Sequence, residues 1–132
     1  MSLTILLVDD DPLMHRMLVP RLEAMKTRVP VTRVLAAQTP DAALAVLEDI
    51  PAGPLAVVSD FNLKAAMNGL QLLRNVRKKR PDALRFLLSG YSLQQLGDVQ
   101  DGGDAHAFLE KPLMLDELIR PLARLIDERL PG

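Results

Sequence analysis

Short, continuously apolar runs alternate along the chain with segments whose apolar residues recur every three or four positions, and the alternation is repeated five times. Thr4 to Val8 is apolar without a polar face and stops at Asp9, Asp10 and Asp11, as expected of a strand buried on both sides in a parallel sheet. Asp11 can cap and Pro12 can open a first helix, with Met14, Met17, Leu18, Leu22 and Met25 on its inner face. Thr32 to Ala37 reads as the second strand. Thr39 caps the helix that Pro40 starts, and Ala43, Leu44, Val46 and Leu47 cover it before Pro51. Leu55 to Val58 is the third strand, again apolar on both faces and again followed by an acid, Asp60. A loop from Phe61 to Asn68 leads to a helix over Gly69 to Lys79 with Leu70, Leu73 and Val76 inward.

Ala83 to Leu88 gives a fourth strand that ends at Ser89. The fourth predicted helix, Leu93 to Gln100, is weak, because Gly97 costs ~1 kcal/mol relative to Ala and Asp101-Gly102-Gly103-Asp104 breaks it. Ala105 to Leu109 is a fifth strand running into Glu110-Lys111-Pro112. A last helix follows over Leu115 to Leu130, with Leu118, Ile119, Leu122, Leu125 and Ile126 inward and Pro121 expected to kink it or move its start. Met1-Ser2-Leu3 carries no weight in this reading. Five strand-helix repeats in residues 1–132 predict one α/β domain, a five-stranded parallel sheet doubly wound, with helices on both faces.

Composition narrows the chemistry. A chain of 132 residues is one domain's worth, and with no Trp, three Phe and one Tyr its core must be aliphatic. Sixteen Lys and Arg against 17 Asp and Glu leave a net charge of −1, which gives no electrostatic reason for bulk binding to nucleic acid or to an anionic membrane. No apolar run approaches the ~18 residues of a membrane span, and the N-terminus lacks the features of a signal peptide, so a cytoplasmic protein is expected. The absence of Cys excludes a disulfide scaffold, a thiolate nucleophile and a Cys-ligated zinc.

What remains gathers at the strand ends. Asp9 and Asp10 follow the first strand, Asp60 the third, Ser89 the fourth and Lys111 the fifth, and ligands of such sheets sit beyond the strands' carboxyl ends. Three ionised carboxylates held close together repel and call for a cation. An all-oxygen set with no His or Cys nearby favours Mg²⁺, which keeps several waters and leaves room for phosphate oxygens. A carboxylate beside Mg²⁺, a hydroxyl and an ammonium is equipped to accept a phosphoryl group.

Ile5 to Asp11, Val58-Ser59-Asp60-Phe61-Asn62-Leu63 with Asn68-Gly69, Leu88-Ser89-Gly90, and Phe108-Leu109-Glu110-Lys111-Pro112 together resemble the receiver domain of bacterial two-component response regulators. The likeness covers nearly the whole chain, in order and at family-like spacing, and implies a flavodoxin-like sheet in the strand order 2-1-3-4-5. It implies a phosphorylation-dependent switch in which Asp60 takes a phosphoryl group from a phosphohistidine. Asp10 is then the direct Mg²⁺ ligand, Asp9 acts through a metal-bound water, Asn62 offers its backbone carbonyl, and Mn²⁺ can replace Mg²⁺. Ser89 and Lys111 bind the phosphoryl group, Phe108 is the aromatic that turns on activation, and Asn62 and Tyr91 tune the lifetime of the acyl phosphate. The Lys111-Pro112 bond is expected to be cis. Implied partners are a sensor histidine kinase or phosphotransfer protein and an effector met through the fourth predicted helix, the fifth strand and the last helix, with a phosphorylation-dependent dimer as a further form. The sequence departs from the pattern in a loop one residue longer than usual after Asp60, in Lys64-Ala65-Ala66 where Pro-Gly is common, and in Met114 where a Ser or Thr cap often stands.

Several residues have plainer readings. Asp11 is read as an N-cap rather than a metal ligand, His15 and His106 as surface polar residues, the Met residues as core, and Arg77 to Arg80 as a solvated helix end. Two other functions compete. Asp9-Asp10-Asp11 contains an Asp-x-Asp similar to the start of haloacid-dehalogenase-type Mg²⁺-dependent phosphohydrolases, although the chain lacks a cap insertion and a late acid pair. A receiver-like fold used only for protein binding is the other alternative.

Overall fold

The computed structural model describes residues 2–90, 103–111 and 115–130. Five strands, β1 (Leu3–Val8), β2 (Val31–Ala37), β3 (Leu55–Asp60), β4 (Leu84–Ser89) and β5 (Ala107–Glu110), form one parallel sheet in the order β2-β1-β3-β4-β5. The described helices are α1 (Pro12–Glu23), α2 (Pro40–Glu48), α3 (Gly69–Lys79) and α4 (Asp116–Arg129). The fourth predicted helix, Tyr91 and the Lys111-Pro112 bond lie outside the described residues.

Successive strand residues point to opposite faces, and both faces are covered. Leu3, Ile5, Leu7, Ala56, Val58, Leu84, Phe86 and Leu88 pack with Leu18 and Leu22 of α1 and with Leu118, Leu122 and Ile126 of α4. On the other face Leu6, Val8, Leu55, Val57 and Leu87 pack with Ala43 and Leu47 of α2 and with Leu70, Leu72, Leu73 and Val76 of α3. Each fully buried Leu or Val contributes about 1.5–3 kcal/mol relative to exposure, so the three inner strands β1, β3 and β4 form the most firmly held part of the fold. β5 is different. It has four residues, pairs only with β4, and none of its side chains is fully buried.

The helix starts follow local chemistry. The Asp11 side chain accepts from the Leu13 N–H at 2.9 Å, which makes it the N-cap of α1, and Thr39 caps α2 through the Ala42 N–H. Asn68 and Gln71 exchange side-chain bonds with each other's backbone N–H, both at 2.9 Å, in a capping box at α3. α4 has no side-chain cap at Leu115; Asp116 and Glu117 in its first turn instead complement the helix dipole. Pro121 neither ends α4 nor moves its start by more than a residue, and the helix runs through it.

Two expectations need correction. Leu3 is fully buried and pairs with Val31, so the first strand begins earlier than Thr4. Met17 is 43% exposed. At about 100° per residue it falls roughly 60° outside Met14 and on the far side from Leu18 and Leu22, beyond the buried stripe.

Candidate functional site

The strand order reverses between β1 and β3, so their carboxyl ends flank a crevice that no strand crossover covers. Val8 lies opposite Ser59 in the ladder, which brings Asp9 and Asp60 together just past the last shared pair. Ser89 ends β4 opposite Glu110, and the Lys111 N–H donates to the Ser89 carbonyl at 2.7 Å, extending the ladder so that Lys111 reaches the same rim. Asp9, Asp10, Asp11, Asp60, Asn62, Lys64, Gly90 and Lys111 line the resulting cleft of about 430 Å³.

Lys111 is the centre of its electrostatics. Its Nζ is 3.1 Å from Asp60 Oδ1 and 3.5 Å from Asp9 Oδ2. Asp9 is only 1% exposed and Asp60 6%. Burial lowers the Lys111 pKa, but the Asp60 and Asp9 carboxylates outweigh it and hold the ammonium above its usual value. Burial raises the Asp60 carboxyl above the ordinary range despite the pull of Lys111, with Asp9 and Asp10 pushing the same way. Asp9 also accepts the Asp11 N–H at Oδ1, 3.0 Å, which fixes its rotamer. Asp9, Asp10 and Asp60 each present an oxygen within 4.8 Å of the others, a set that could hold a metal ion. A hard divalent cation suits this all-oxygen group and offsets its mutual repulsion.

The end of β3 is held against α3 by close approach. The Gly69 N–H donates to the Phe61 carbonyl at 2.8 Å, and any Cβ on Gly69 would collide with the Asp60 carbonyl. Asn62 lines the cleft and accepts the Lys64 N–H at its Oδ1, 3.2 Å. Ser89 is 2% exposed at the end of β4, and Phe108 is half-buried against the cluster on the α2 and α3 face.

Sequence reasoning missed three features. His15, read as a surface residue, donates from Nε2 to the Asp9 carbonyl at 2.7 Å and so braces the turn after β1; its spacing six residues on, one turn into a helix, was the available signal. Lys64 stands over Asp10, with Nζ 3.9 Å from Oδ2. At the opposite end of the sheet Arg85, 4% exposed inside β4, donates to the carbonyls of Asp104 at 2.8 Å and Ala83 at 3.0 Å. Asp104 in turn pairs with Arg74 at 3.0 Å and Arg77 at 3.6 Å. His106 is likewise structural: its Nδ1 accepts the Arg85 N–H at 3.0 Å, and burial, with Arg85, Arg129 and Arg77 nearby, lowers its pKa to about 4.

Residues 5–123 match the response regulator receiver domain, and the chain belongs to that family. It is 29% identical over 125 residues to the C4-dicarboxylate transport transcriptional regulatory protein DctD of Pseudomonas aeruginosa, covering 95% of this chain and 25% of that one. The chain thus spans about a quarter of this curated relative's length. Among solved structures, the response regulator TrrA of Thermotoga maritima, in complex with Mg²⁺-BeF, aligns with a TM-score of 0.73 at 25% identity over 95% of this chain and 99% of that one. A CheY-like receiver domain from Methanospirillum hungatei aligns with a TM-score of 0.75 at 24% identity over 98% and 97% of the two chains. CheY4 of Vibrio cholerae gives 0.77 at 20% identity over 95% and 99%, a likeness of fold.

The chain is therefore a response regulator receiver domain, a signalling domain of two-component systems, which work with histidine kinases and effectors. The haloacid-dehalogenase alternative has no support. Asp11, which would complete its Asp-x-Asp pair, is spent on capping α1. Among the described residues no helix is long and apolar enough to cross a membrane.

Proposed function

We propose that Asp60 is the phosphoacceptor of this receiver and that Asp9, Asp10, Asp60 and the Asn62 backbone carbonyl hold Mg²⁺ beside it, with Mn²⁺ able to substitute. The observation that carries the reading is the single ammonium of Lys111 shared by Asp60 and Asp9, within a trio of carboxylates at the sheet's switch point. The site's oxygens fit the metal because they leave a net negative charge that Lys111 alone does not balance. When bound, Mg²⁺ would neutralise charge on the transferring phosphoryl oxygens.

The chain's own part is positioning. A carboxylate oxygen of Asp60 attacks phosphorus while the P–N bond of a kinase or phosphotransfer phosphohistidine breaks, the electron pair returning to the imidazole. Lys111 then turns from Asp60 to the new phosphoryl oxygens, and the Ser89 hydroxyl donates to them. Autodephosphorylation is hydrolysis of that acyl phosphate, whose lifetime Asn62 and Tyr91 tune. Movement of Ser89 frees Phe108 to rotate, and the surface of residues 93–100, β5 and α4 is re-presented to an effector protein or domain, or to a second copy of the chain. No direct contact with nucleic acid is part of this reading. The site of action is the cytoplasm, where ATP charges the kinase.

With Mg²⁺ and acetyl phosphate, intact mass should rise by one phosphoryl group, and Asp60→Asn should abolish the gain. Equal labelling of that variant would refute the assignment.

A further inference from the structure

The geometry points to Lys64 as a second counter-ion of the acidic cleft, one that competes with a divalent cation for Asp10 and so sets the site's cation affinity. The inference rests on the metal-binding reading above and adds a residue to it.

Lys64 is the one residue other than glycine with a positive φ among the described residues, at 50°. A lysine has no intrinsic preference for that left-handed conformation, so the loop must impose it. The constraint is visible: the Asn62 side chain accepts the Lys64 N–H at 3.2 Å, closing a tight turn two residues after Asp60. The turn leaves the Lys64 side chain lining the cleft, with Nζ 3.9 Å from Asp10 Oδ2.

The two lysines of the cleft are held very differently. Lys111 is 29% exposed and makes two ionic contacts with buried carboxylates, whereas Lys64 is 78% exposed and has a single contact at the edge of ionic range. An exposed pair of that kind is weak and is readily exchanged for a better partner. Charge supplies the reason for exchange. Three carboxylates against Lys111 and Lys64 leave one negative charge uncompensated. A divalent cation with Lys111 balances the three carboxylates fully, and Lys64 then becomes one cation too many. Binding of the divalent ion therefore expels Lys64 from Asp10, and the lost pairing is subtracted from the ion's affinity.

The test is calorimetric titration of Mg²⁺ into the full chain, with no phosphodonor. Lys64→Asn removes the charge with a residue that tolerates the left-handed conformation, Lys64→Arg keeps the charge, and Lys26→Asn removes an equal charge from an exposed position beyond the far end of α1. Lys64→Asn should bind Mg²⁺ about two- to fivefold more tightly than wild type at low salt, the range an exposed pair supports, and the difference should shrink as salt is raised. Lys64→Arg should behave like wild type, and Lys26→Asn should change affinity less than Lys64→Asn. Equal or weaker binding by Lys64→Asn, or the same tightening in Lys26→Asn, would overturn the inference while leaving the metal site intact. Failure of wild type and Lys64→Asn alike to bind Mg²⁺ would instead overturn the metal reading, and this inference with it.

Discussion

Replacing Lys111 with Met keeps most of the length of the side chain and deletes the charge that Asp9 and Asp60 share. With an effective dielectric constant near 20, unit charges at 3.1 and 3.5 Å attract by about 5 kcal/mol each. That gross gain is offset by the desolvation of three groups. What is measured on removing one partner of a buried pair is about 3–5 kcal/mol. Lys111 is 29% exposed and a carboxylate left behind can take up a proton, so we expect a smaller loss, roughly 2–3 kcal/mol at neutral pH without divalent ions. For a domain of this size that lowers Tm by roughly 8–12 °C.

The pH dependence of Lys111→Met gives a sharper check. Burial already holds the Asp60 pKa above its unfolded value of 3.8, and loss of Lys111 removes the main effect opposing it. A carboxyl with a raised folded pKa binds protons more tightly in the folded state, so stability is gained as pH falls through that folded value and is fully regained below 3.8. The deficit of the variant should therefore narrow on acidification. Thermal melts of both proteins from neutral pH to about pH 4, with far-ultraviolet dichroism to confirm the fold, would measure it. A variant as stable as wild type at neutral pH, or a deficit that does not change with pH, would refute the role of Lys111 as the counter-ion.

Mg²⁺ at about ten times its Kd should add roughly 1.4 kcal/mol of stability, mostly lost in Asp10→Asn, as differential scanning calorimetry would show. Gly69→Ala should cost about 1–3 kcal/mol in denaturant unfolding and slow labelling by acetyl phosphate, because the new methyl pushes α3 away from the Asp60 carbonyl. His106, with its folded pKa near 4 against 6.5 unfolded, should make stability fall as pH drops between those values; His106→Asn, which keeps an acceptor for the Arg85 N–H, should remove that part of the slope in urea titrations. Tyr91→Ala should shorten the half-life of the phosphorylated chain, followed by intact mass after the phosphodonor is removed.

The elements most legible in the sequence are those fixed by burial on two faces or by capping chemistry. α3 begins and ends where its apolar spacing places it, because Asn68 and Gln71 close its start and Arg77 to Lys79 suit its end. β5 begins two residues later than its apolar run suggests, since Ala105 and His106 precede it in the turn organised around Arg85. The strand-end acids and Lys111 were readable because each stands within two residues of the end of an apolar run, and the parallel order does the rest. Lys64 was not, since its place over Asp10 depends on a positive φ that no lysine advertises. Nor was Arg85, whose charge inside a strand is satisfied by the carbonyls of Pro81, Ala83 and Asp104.

The two sides of the cleft differ in how firmly they are held, and this bears on how a change of charge there is felt. Asp9 and Asp60 stand at the ends of β1 and β3, central strands with fully buried side chains and neighbours on both sides. Their counter-ion, Lys111, directly follows an edge strand of three partly buried residues and one exposed one, paired on one side only. β5 is fastened at its start by His106 against Arg85 and at its end by Lys111, through its N–H to Ser89 and its ammonium to the two acids. Anything that alters the charge at Asp60 thus loosens or redirects one of the two fastenings of the least supported strand, while the carboxylates themselves have little freedom to move. We expect the response to such a change to show in β5 rather than in β1 or β3, because opening an edge ladder exposes far less apolar surface than displacing a central strand.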